Sequence, residues 1–86
     1  MDSLSLKNLI DLINEVGEQD DAVDIHIGME HLHTSFDDLG IDSLAFLSVV
    51  AQLESRYGIR IGFAEAAAAN NPAELYDMVS RHLDTV

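Results

Sequence analysis

Residues 38–58 read DLGIDSLAFLSVVAQLESRYG, a stretch that combines a turn, a helix start and a helix stop. Asp42 and Ser43 are both favoured N-cap residues, and Gly58 is a favoured residue just past a helix end. We therefore predict a helix from 42 or 43 to about 57. Its apolar arc is wide and consists of two adjoining stripes: Phe46, Val50, Leu53 and Tyr57, and Leu44, Leu47 and Ala51. The remaining face is then left to Ala45, Ser48, Gln52 and Ser55.

A further helix is predicted on the N-terminal side of this stretch. Its apolar stripe is Leu6, Leu9, Ile10, Ile13 and Val16. Ser3 and Ser5 are candidate N-caps, and Gly17 is the expected stop. Residues 18–35 keep no helical period, so we expect a long connection that is pinned by its own side chains. The apolar residues available for that purpose are Val23, Ile25, Ile27, Met29 and Leu32.

The C-terminal third predicts one short helix and one long helix. Residues 59–61 alternate as an extended link, and the alanine-rich stretch 63–69 favours a helical turn or two that bury little area. Asn71, Pro72 and Glu74 form an N-cap, a first-turn proline and an acidic first turn. The inward residues of the last helix are Leu75, Met78, Val79 and Leu83. The predicted fold is all-α, with three main helices, one short helix and a long first loop.

Composition limits what this chain can do. It has 86 residues, no cysteine, and 16 acidic against 4 basic residues, which gives a net charge of −12. We expect a single domain over residues 1–86, with no room for an enclosed catalytic cleft. The charge disfavours nucleic acid and anionic membranes, and it favours partners with basic faces. No apolar run is long enough to span a bilayer, and the lack of cysteine fits the cytoplasm.

Ser43 is the best candidate for chemistry. Gly40 permits a turn with positive φ, and Asp42 can cap the helix, so the serine hydroxyl is displayed at a helix N-terminus. Free amides and the helix dipole favour an anion there, as a phosphate ester would be. No G-x-S-x-G turn or oriented histidine accompanies the serine, which disfavours a hydrolase. Modification of Ser43 by another enzyme fits better.

Asp38-Leu39-Gly40-Ile41-Asp42-Ser43-Leu44 resembles the D-x-G-x-D-S-L signature of acyl carrier proteins. The order of the predicted elements is also similar to that family along essentially the whole chain. The resemblance implies a small acidic four-helix bundle that is a carrier and not an enzyme. It also implies that a phosphopantetheinyl transferase esterifies Ser43 with 4′-phosphopantetheine from coenzyme A. The signature residues expected around this attachment site are Asp38, Gly40, Asp42 and Leu44.

A second stretch points to a subgroup. Residues 53–59, LESRYGI, are similar to the L-E-S-R-Y-G-V/I stretch of carriers from type II aromatic polyketide synthases, and residues 36–45 resemble that subgroup too. Helix residues Ala45, Ser48 and Gln52 lack the acids usual in fatty-acid carriers, and Gly62-Phe63 replaces the usual proline-acid pair. The subgroup implies a monomeric carrier of growing thioesters in antibiotic-type polyketide synthesis. The implied partners are ketosynthase/chain-length factor, acyltransferase and ketoreductase. The alternatives are a fatty-acid or peptidyl carrier, and an acidic helical adaptor without a prosthetic group.

The sequence also suggests partner contacts, a cargo position and the role of the histidines. The expected acidic partner contacts are Asp37, Asp38, Asp42 and Glu54, and the expected apolar contacts are Leu44, Leu47 and Ala51. Tethered cargo is expected to slip beneath residues 66–69. His26, His31 and His33 lie near Asp24 and Glu30, but their spacing matches no metal motif. We expect them to be surface residues or anchors of the long loop, and we expect no metal site.

Overall fold

The computed structural model describes residues 4–19 and 26–84, and within these ranges the chain is helical without any strand. The elements are α1 (Leu6–Gln19), a 3₁₀ turn (Met29–His31), α2 (Ser43–Tyr57), α3 (Phe63–Ala67) and α4 (Pro72–Asp84). Three main helices and one short helix confirm the predicted all-α class. No helix in the described ranges is long and apolar enough to cross a bilayer.

Helix α1 starts as predicted but ends later. The Ser5 Oγ accepts a hydrogen bond from the Asn8 N–H at 3.1 Å, so Ser5 caps the helix, whereas Ser3 lies outside the described residues. Gly17 was expected to stop α1, but it is buried inside the helix, which continues to Gln19. A glycine ends a helix by adopting a left-handed conformation, and it can equally remain helical at a modest entropic cost.

The long connection is tied to α1 by one asparagine. The Asn14 side chain accepts from the Ile27 N–H and donates to the Ile27 carbonyl, both at 2.9 Å. Ile27 is buried and Leu32 packs against the core, as predicted. Met29 does not pin the loop, because it is 49% exposed on the 3₁₀ turn. Val23 and Ile25 lie outside the described residues.

Helix α2 begins and ends at the predicted residues, but its inner face is different from the prediction. Its buried residues are Ala45, Val49, Val50 and Leu53. Ala45 was assigned to the outer face, and it is only 3% exposed. At about 100° per residue, Leu44, Leu47 and Ala51 lie within about 60° of one another and about 100° to 160° around the helix from Ala45, and all three are exposed. The second apolar stripe therefore faces solvent.

Helix α4 packs on the core and is capped as predicted. The Asn71 Oδ1 accepts from the Glu74 N–H at 2.9 Å. Leu75 and Val79 are fully buried, and Met78 and Leu83 are partly buried against the same core.

Helix α3 is held loosely between α2 and α4. Only Ala66 among its residues is buried, and a single methyl contributes about 1 kcal/mol. Its approach is fixed by the Ile61 N–H, which donates to the Glu54 Oε2 at 2.7 Å. Its exit is fixed by the Phe36 N–H, which donates to the Asn70 carbonyl at 2.9 Å. The ends of α3 are thus better anchored than its body.

Candidate functional site

Ser43 is the first residue of α2, and its side chain is exposed. The neighbouring Asp42 performs the capping, since its Oδ1 accepts from the Ala45 N–H at 2.8 Å. The Asp42 carbonyl also accepts the first intrahelical hydrogen bond, from the Phe46 N–H at 2.9 Å. The Ser43 hydroxyl makes no hydrogen bond to any residue in the described part of the chain. It is therefore available to an incoming group without disturbing the helix start.

The turn before Ser43 is fixed by Gly40 and Ile41. Gly40 has φ +80°, a left-handed backbone conformation that favours glycine. A β-carbon built on it would meet nothing within 4 Å, so the backbone conformation, and not a lack of room, favours glycine here. The Ile41 N–H donates to the Phe36 carbonyl at 3.0 Å, and the Ile41 side chain is 4% exposed. This buried residue holds the chain against the core two residues before Ser43. The signature thus positions the serine through backbone geometry as well as through the cap.

A cavity of about 240 Å³ opens beside Ser43. The apolar residues that line it are Phe36, Ile41, Phe46, Phe63, Ala67 and Ala69, and Asp42 and Ser43 line it too. The rings of Phe36 and Phe46 are in contact, with centroids 5.1 Å apart. Of the segment 66–69 that was expected to cover cargo, Ala67 and Ala69 line the cavity, whereas Ala66 is buried in the core. Phe36 and Ile41 were not predicted as lining residues, and their apolar character next to the signature was the available signal.

The exposed surface around Ser43 is both acidic and apolar. Asp37 and Asp38 are exposed in the turn that precedes it, and the Asp38 N–H donates to the Ser35 Oγ at 3.1 Å. Leu44 is 73% exposed and Leu47 is 39% exposed. Phe63 on α3 is a further exposed apolar residue, with 64% of its surface accessible.

Two of the expected contact residues lie farther along α2. Ala51 is exposed, and Glu54 follows Ser43 by eleven residues, which is about 16 Å along the helix axis. The Glu54 carboxylate is partly buried and accepts the Ile61 N–H, so it has a structural role in the link to α3.

The histidines do not form a centre of their own. His26 and His33 are exposed, and the His31 Nδ1 accepts from the Gly28 N–H at 2.9 Å, which anchors the loop. Within residues 4–19 and 26–84, no group of histidine and acidic side chains is arranged to hold a metal ion. Asp24 lies outside those ranges.

Comparison with known proteins identifies the family. The family model described as "Phosphopantetheine attachment site" matches residues 11–79. The chain is 32% identical over 83 residues to the oxytetracycline polyketide synthase acyl carrier protein of Streptomyces rimosus, covering 96% of this chain and 85% of that protein. It is 36% identical over 69 residues to the actinorhodin polyketide synthase acyl carrier protein of Streptomyces coelicolor, covering 80% and 77%.

Solved structures agree with these relatives. The solution structure of malonyl acyl carrier protein from the actinorhodin polyketide synthase of Streptomyces coelicolor has a TM-score of 0.84 at 29% identity, over 99% of this chain and 96% of that one. The solution structure of the oxytetracycline acyl carrier protein has a TM-score of 0.79 at 32% identity, over 98% and 86%.

The site fits the covalent group that defines the family. An exposed serine hydroxyl with no competing hydrogen bond stands at a helix N-terminus, where a phosphate ester is favoured, and an apolar cavity adjoins it. The family consists of non-catalytic carriers that hold 4′-phosphopantetheine covalently, are modified by a phosphopantetheinyl transferase and work with synthase enzymes. Because the chain matches the family model and these relatives over most of its length, it belongs to the phosphopantetheine-attachment-site family and is an acyl carrier protein of the polyketide synthase type.

Proposed function

We propose that the Ser43 Oγ carries the 4′-phosphopantetheine arm and that the chain presents polyketide intermediates to separate synthase enzymes. The observation that supports Ser43 most strongly is its exposed, uncommitted hydroxyl inside the D-x-G-x-D-S-L signature. When bound, the group supplies a terminal thiol that holds an acyl chain as a thioester. We further propose that residues 1–86 act as one monomeric carrier domain in the cytoplasm, for which the absence of cysteine is supporting evidence.

The protein's own residues prepare the attachment point rather than react. No histidine contacts the Ser43 hydroxyl in the described part of the chain, so its proton has to be removed by the transferase. The N–H groups of Ser43 and Leu44 have no intrahelical partner, because the first amides of a helix never do. These amides and the positive end of the α2 dipole favour the phosphate of the arm. Asp42 keeps this geometry by occupying the Ala45 N–H.

The surface next to Ser43 suits enzymes with a basic face and an apolar recess. Leu44 and Leu47 supply exposed apolar area, and Asp37 and Asp38 supply charge close to the turn. Such contacts steer encounters and are screened by salt, which fits a partner that must bind and leave at each step. We propose ketosynthase/chain-length factor, acyltransferase and ketoreductase as the enzymes that dock here. Ala51 and Glu54 are proposed as peripheral contacts only.

The cavity beside Ser43 is proposed as a shelter for short cargo. Its volume of about 240 Å³ and its aromatic and alanine walls suit a small acyl group rather than a long chain. Acylation of the arm should then change the chemical shifts of Leu47, Phe63 and Ala67. Changes confined to residues next to Ser43 would instead mean that the cargo stays outside.

Attachment can be tested by mass. The purified chain is incubated with coenzyme A, Mg²⁺ and a promiscuous phosphopantetheinyl transferase, and its intact mass is recorded. We expect a gain of one phosphopantetheinyl group that is lost in Ser43→Ala. Ser48→Ala is the matched control, because it removes another exposed serine from the same helix. A folded chain that gains no mass would support the acidic adaptor instead.

The pathway needs a separate assay. The acyl-loaded carrier is offered to a polyketide ketosynthase and, in parallel, to a fatty-acid ketosynthase, and the carrier with a free arm thiol is offered to a peptide-synthetase adenylating enzyme. We expect faster transfer with the polyketide enzyme. Preference for either of the others would reassign the carrier without affecting the attachment site.

A further inference from the structure

Arg60 carries a positive charge that has no partner in the described part of the chain. The sequence contains four lysine and arginine residues against 16 acids. The other three bases are in ion pairs, Lys7 with Asp11, Arg56 with Glu15 and Arg81 with Asp77. Arg60 is exposed, and no hydrogen bond or ion pair joins it to a described residue. Its guanidinium is therefore available to a carboxylate of another molecule, which its planar set of donors suits.

The two acids closest to Arg60 in the sequence make other contacts. The Glu54 Oε2 accepts a hydrogen bond from the Ile61 N–H at 2.7 Å. The Glu65 Oε2 lies 2.9 Å from the His82 Nε2. Neither carboxylate forms an ion pair with Arg60, although both belong to the segments that flank it. The fold thus leaves this arginine unpaired on a strongly acidic chain.

The link after α2 places Arg60 at the far end of that helix from Ser43. Gly58 ends α2 with φ +64°, and the Ile61 N–H then reaches back to the Glu54 side chain. Arg60 precedes Ile61 and therefore lies near the last turn of α2. This position is about 16 to 21 Å from Ser43 along the helix axis.

The same link borders the exposed side of α2. Glu54, which holds the link, lies only about 20° around the helix from Leu47. We call this side the solvent face of α2, and its exposed residues are Leu44, Leu47, Ser48, Ala51 and Ser55. Phe63, three residues after Arg60, adds an aromatic ring that is 64% exposed. Arg60 and Phe63 thus stand next to a face that itself carries no exposed charge.

The charges at the two ends of the solvent face have opposite signs. The exposed acids at the Ser43 end are Asp37, Asp38 and Asp42. The exposed charge at the other end is that of Arg60, because Glu54 is partly buried and directed at a backbone N–H. A complementary partner is basic opposite the aspartates and acidic opposite Arg60. A partner that is basic along its whole docking face would be repelled at Arg60.

We propose that Arg60 is a docking residue that binds a carboxylate of the ketosynthase/chain-length factor and so sets the direction in which the carrier lies on this enzyme. The proposal rests on the proposed function, because only a carrier delivers an acyl group to that enzyme. Two contacts of opposite sign favour one direction and penalise the reverse, in which like charges would meet. Arginine and aromatic residues are enriched at protein interfaces, and Phe63 beside Arg60 fits that composition.

The test is acyl transfer from the arm-loaded, acylated carrier to the ketosynthase/chain-length factor that accepts the native chain fastest. Every variant is first loaded completely, as shown by its intact mass, so the rate of arm attachment does not enter. At low salt we expect kcat/KM to fall about threefold in Arg60→Gln and about tenfold in Arg60→Glu, because repulsion then adds to the lost attraction. Arg60→Lys keeps the charge and should lose less than Arg60→Gln.

Two further readouts distinguish docking from chemistry. The loss in Arg60→Glu should lie in KM and not in kcat, because Arg60 is far from the arm. The ratio of native to variant rates should approach one in about 1 M salt, where the Debye length is about 3 Å. Replacing one acidic residue of the enzyme's docking face by arginine should restore the rate of Arg60→Glu, and the absence of any such rescue would overturn the proposal.

Lys7→Glu is the matched control, because it reverses another exposed base and changes the net charge by the same amount. It should alter kcat/KM by less than about twofold, since Lys7 lies on α1 away from the solvent face of α2. Equal effects of Arg60→Glu and Lys7→Glu, a loss confined to kcat, or faster transfer by Arg60→Glu would each overturn the proposal. Lack of transfer from the native chain to any polyketide ketosynthase would refute the proposed function itself, and this proposal with it.

Discussion

Asp42 combines two roles that substitution can separate: it caps α2, and it places a charge next to Ser43. The cap is the 2.8 Å hydrogen bond from the Ala45 N–H to the Asp42 Oδ1. Loss of a capping side chain costs about 1 kcal/mol, and loss of a negative charge at a helix N-terminus costs about 0.5 kcal/mol. Asp42→Ala loses both and should destabilise the fold by about 1.5 kcal/mol. Asp42→Asn keeps a capping oxygen and should cost only about 0.5 kcal/mol.

Thermal unfolding followed by circular dichroism measures the difference between these variants. For a domain of this size, 1 kcal/mol corresponds to roughly 4 to 8 °C in Tm, so the two variants should be clearly resolved. Arm transfer gives the second readout: if the charge itself meets the transferase, both variants should lose transfer rate to a similar extent despite their different stabilities. Equal destabilisation by the two variants would refute the capping role. Normal transfer in Asp42→Asn would refute the charge role.

Three further predictions concern the scaffold and the cavity. Asn14→Ala breaks both hydrogen bonds to the loop backbone and should lower the free energy of unfolding in urea by about 2 kcal/mol. The exposed control Asn8→Ala should change it by less than about 0.5 kcal/mol, and equal effects of the two variants would contradict the role of Asn14 as an anchor. Gly58→Ala forces a β-carbon into φ +64° and should cost about 1 kcal/mol; a neutral result would contradict the left-handed helix end. Phe63→Ala should barely alter stability, because the ring is 64% exposed, but it should reduce acyl-induced shifts at Ala67 in NMR spectra; undiminished shifts would remove Phe63 from the cavity wall.

The helices could be predicted because their caps, their stops and their apolar spacing are local features of the sequence. Asp42, Gly58 and Asn71 take the capping and stop positions that their chemistry predicts. The prediction that Gly17 stops α1 was wrong because a glycine near a helix end can stop the helix or continue it, and tertiary packing decides between these outcomes. The prediction that Ala45 lies on the outer face was wrong because a wide apolar arc does not reveal which of its edges packs against the core. The packing partners of α2, which are distant in sequence, supply that information.

The sequence predicted the serine of the site but not the cavity beside it. The local sequence around Ser43 sufficed to identify an exposed serine at a helix start. The cavity is lined by Phe36 and Phe63, which are 27 residues apart in the sequence and reach one cavity only through the fold. The contact between Glu65 and His82 could not be predicted either, because the two residues lie on different helices and follow no periodic pattern. The sequence did not reveal which residues from distant parts of the chain lie close together in the fold.

Fragment-ion mass spectrometry of the modified native chain shows directly which oxygen bears the arm. We predict that the phosphopantetheinyl group is found on the peptide containing Ser43, with fragment ions that assign it to that residue. Its appearance on Ser48, or on any other hydroxyl while Ser43 stays bare, would contradict the account.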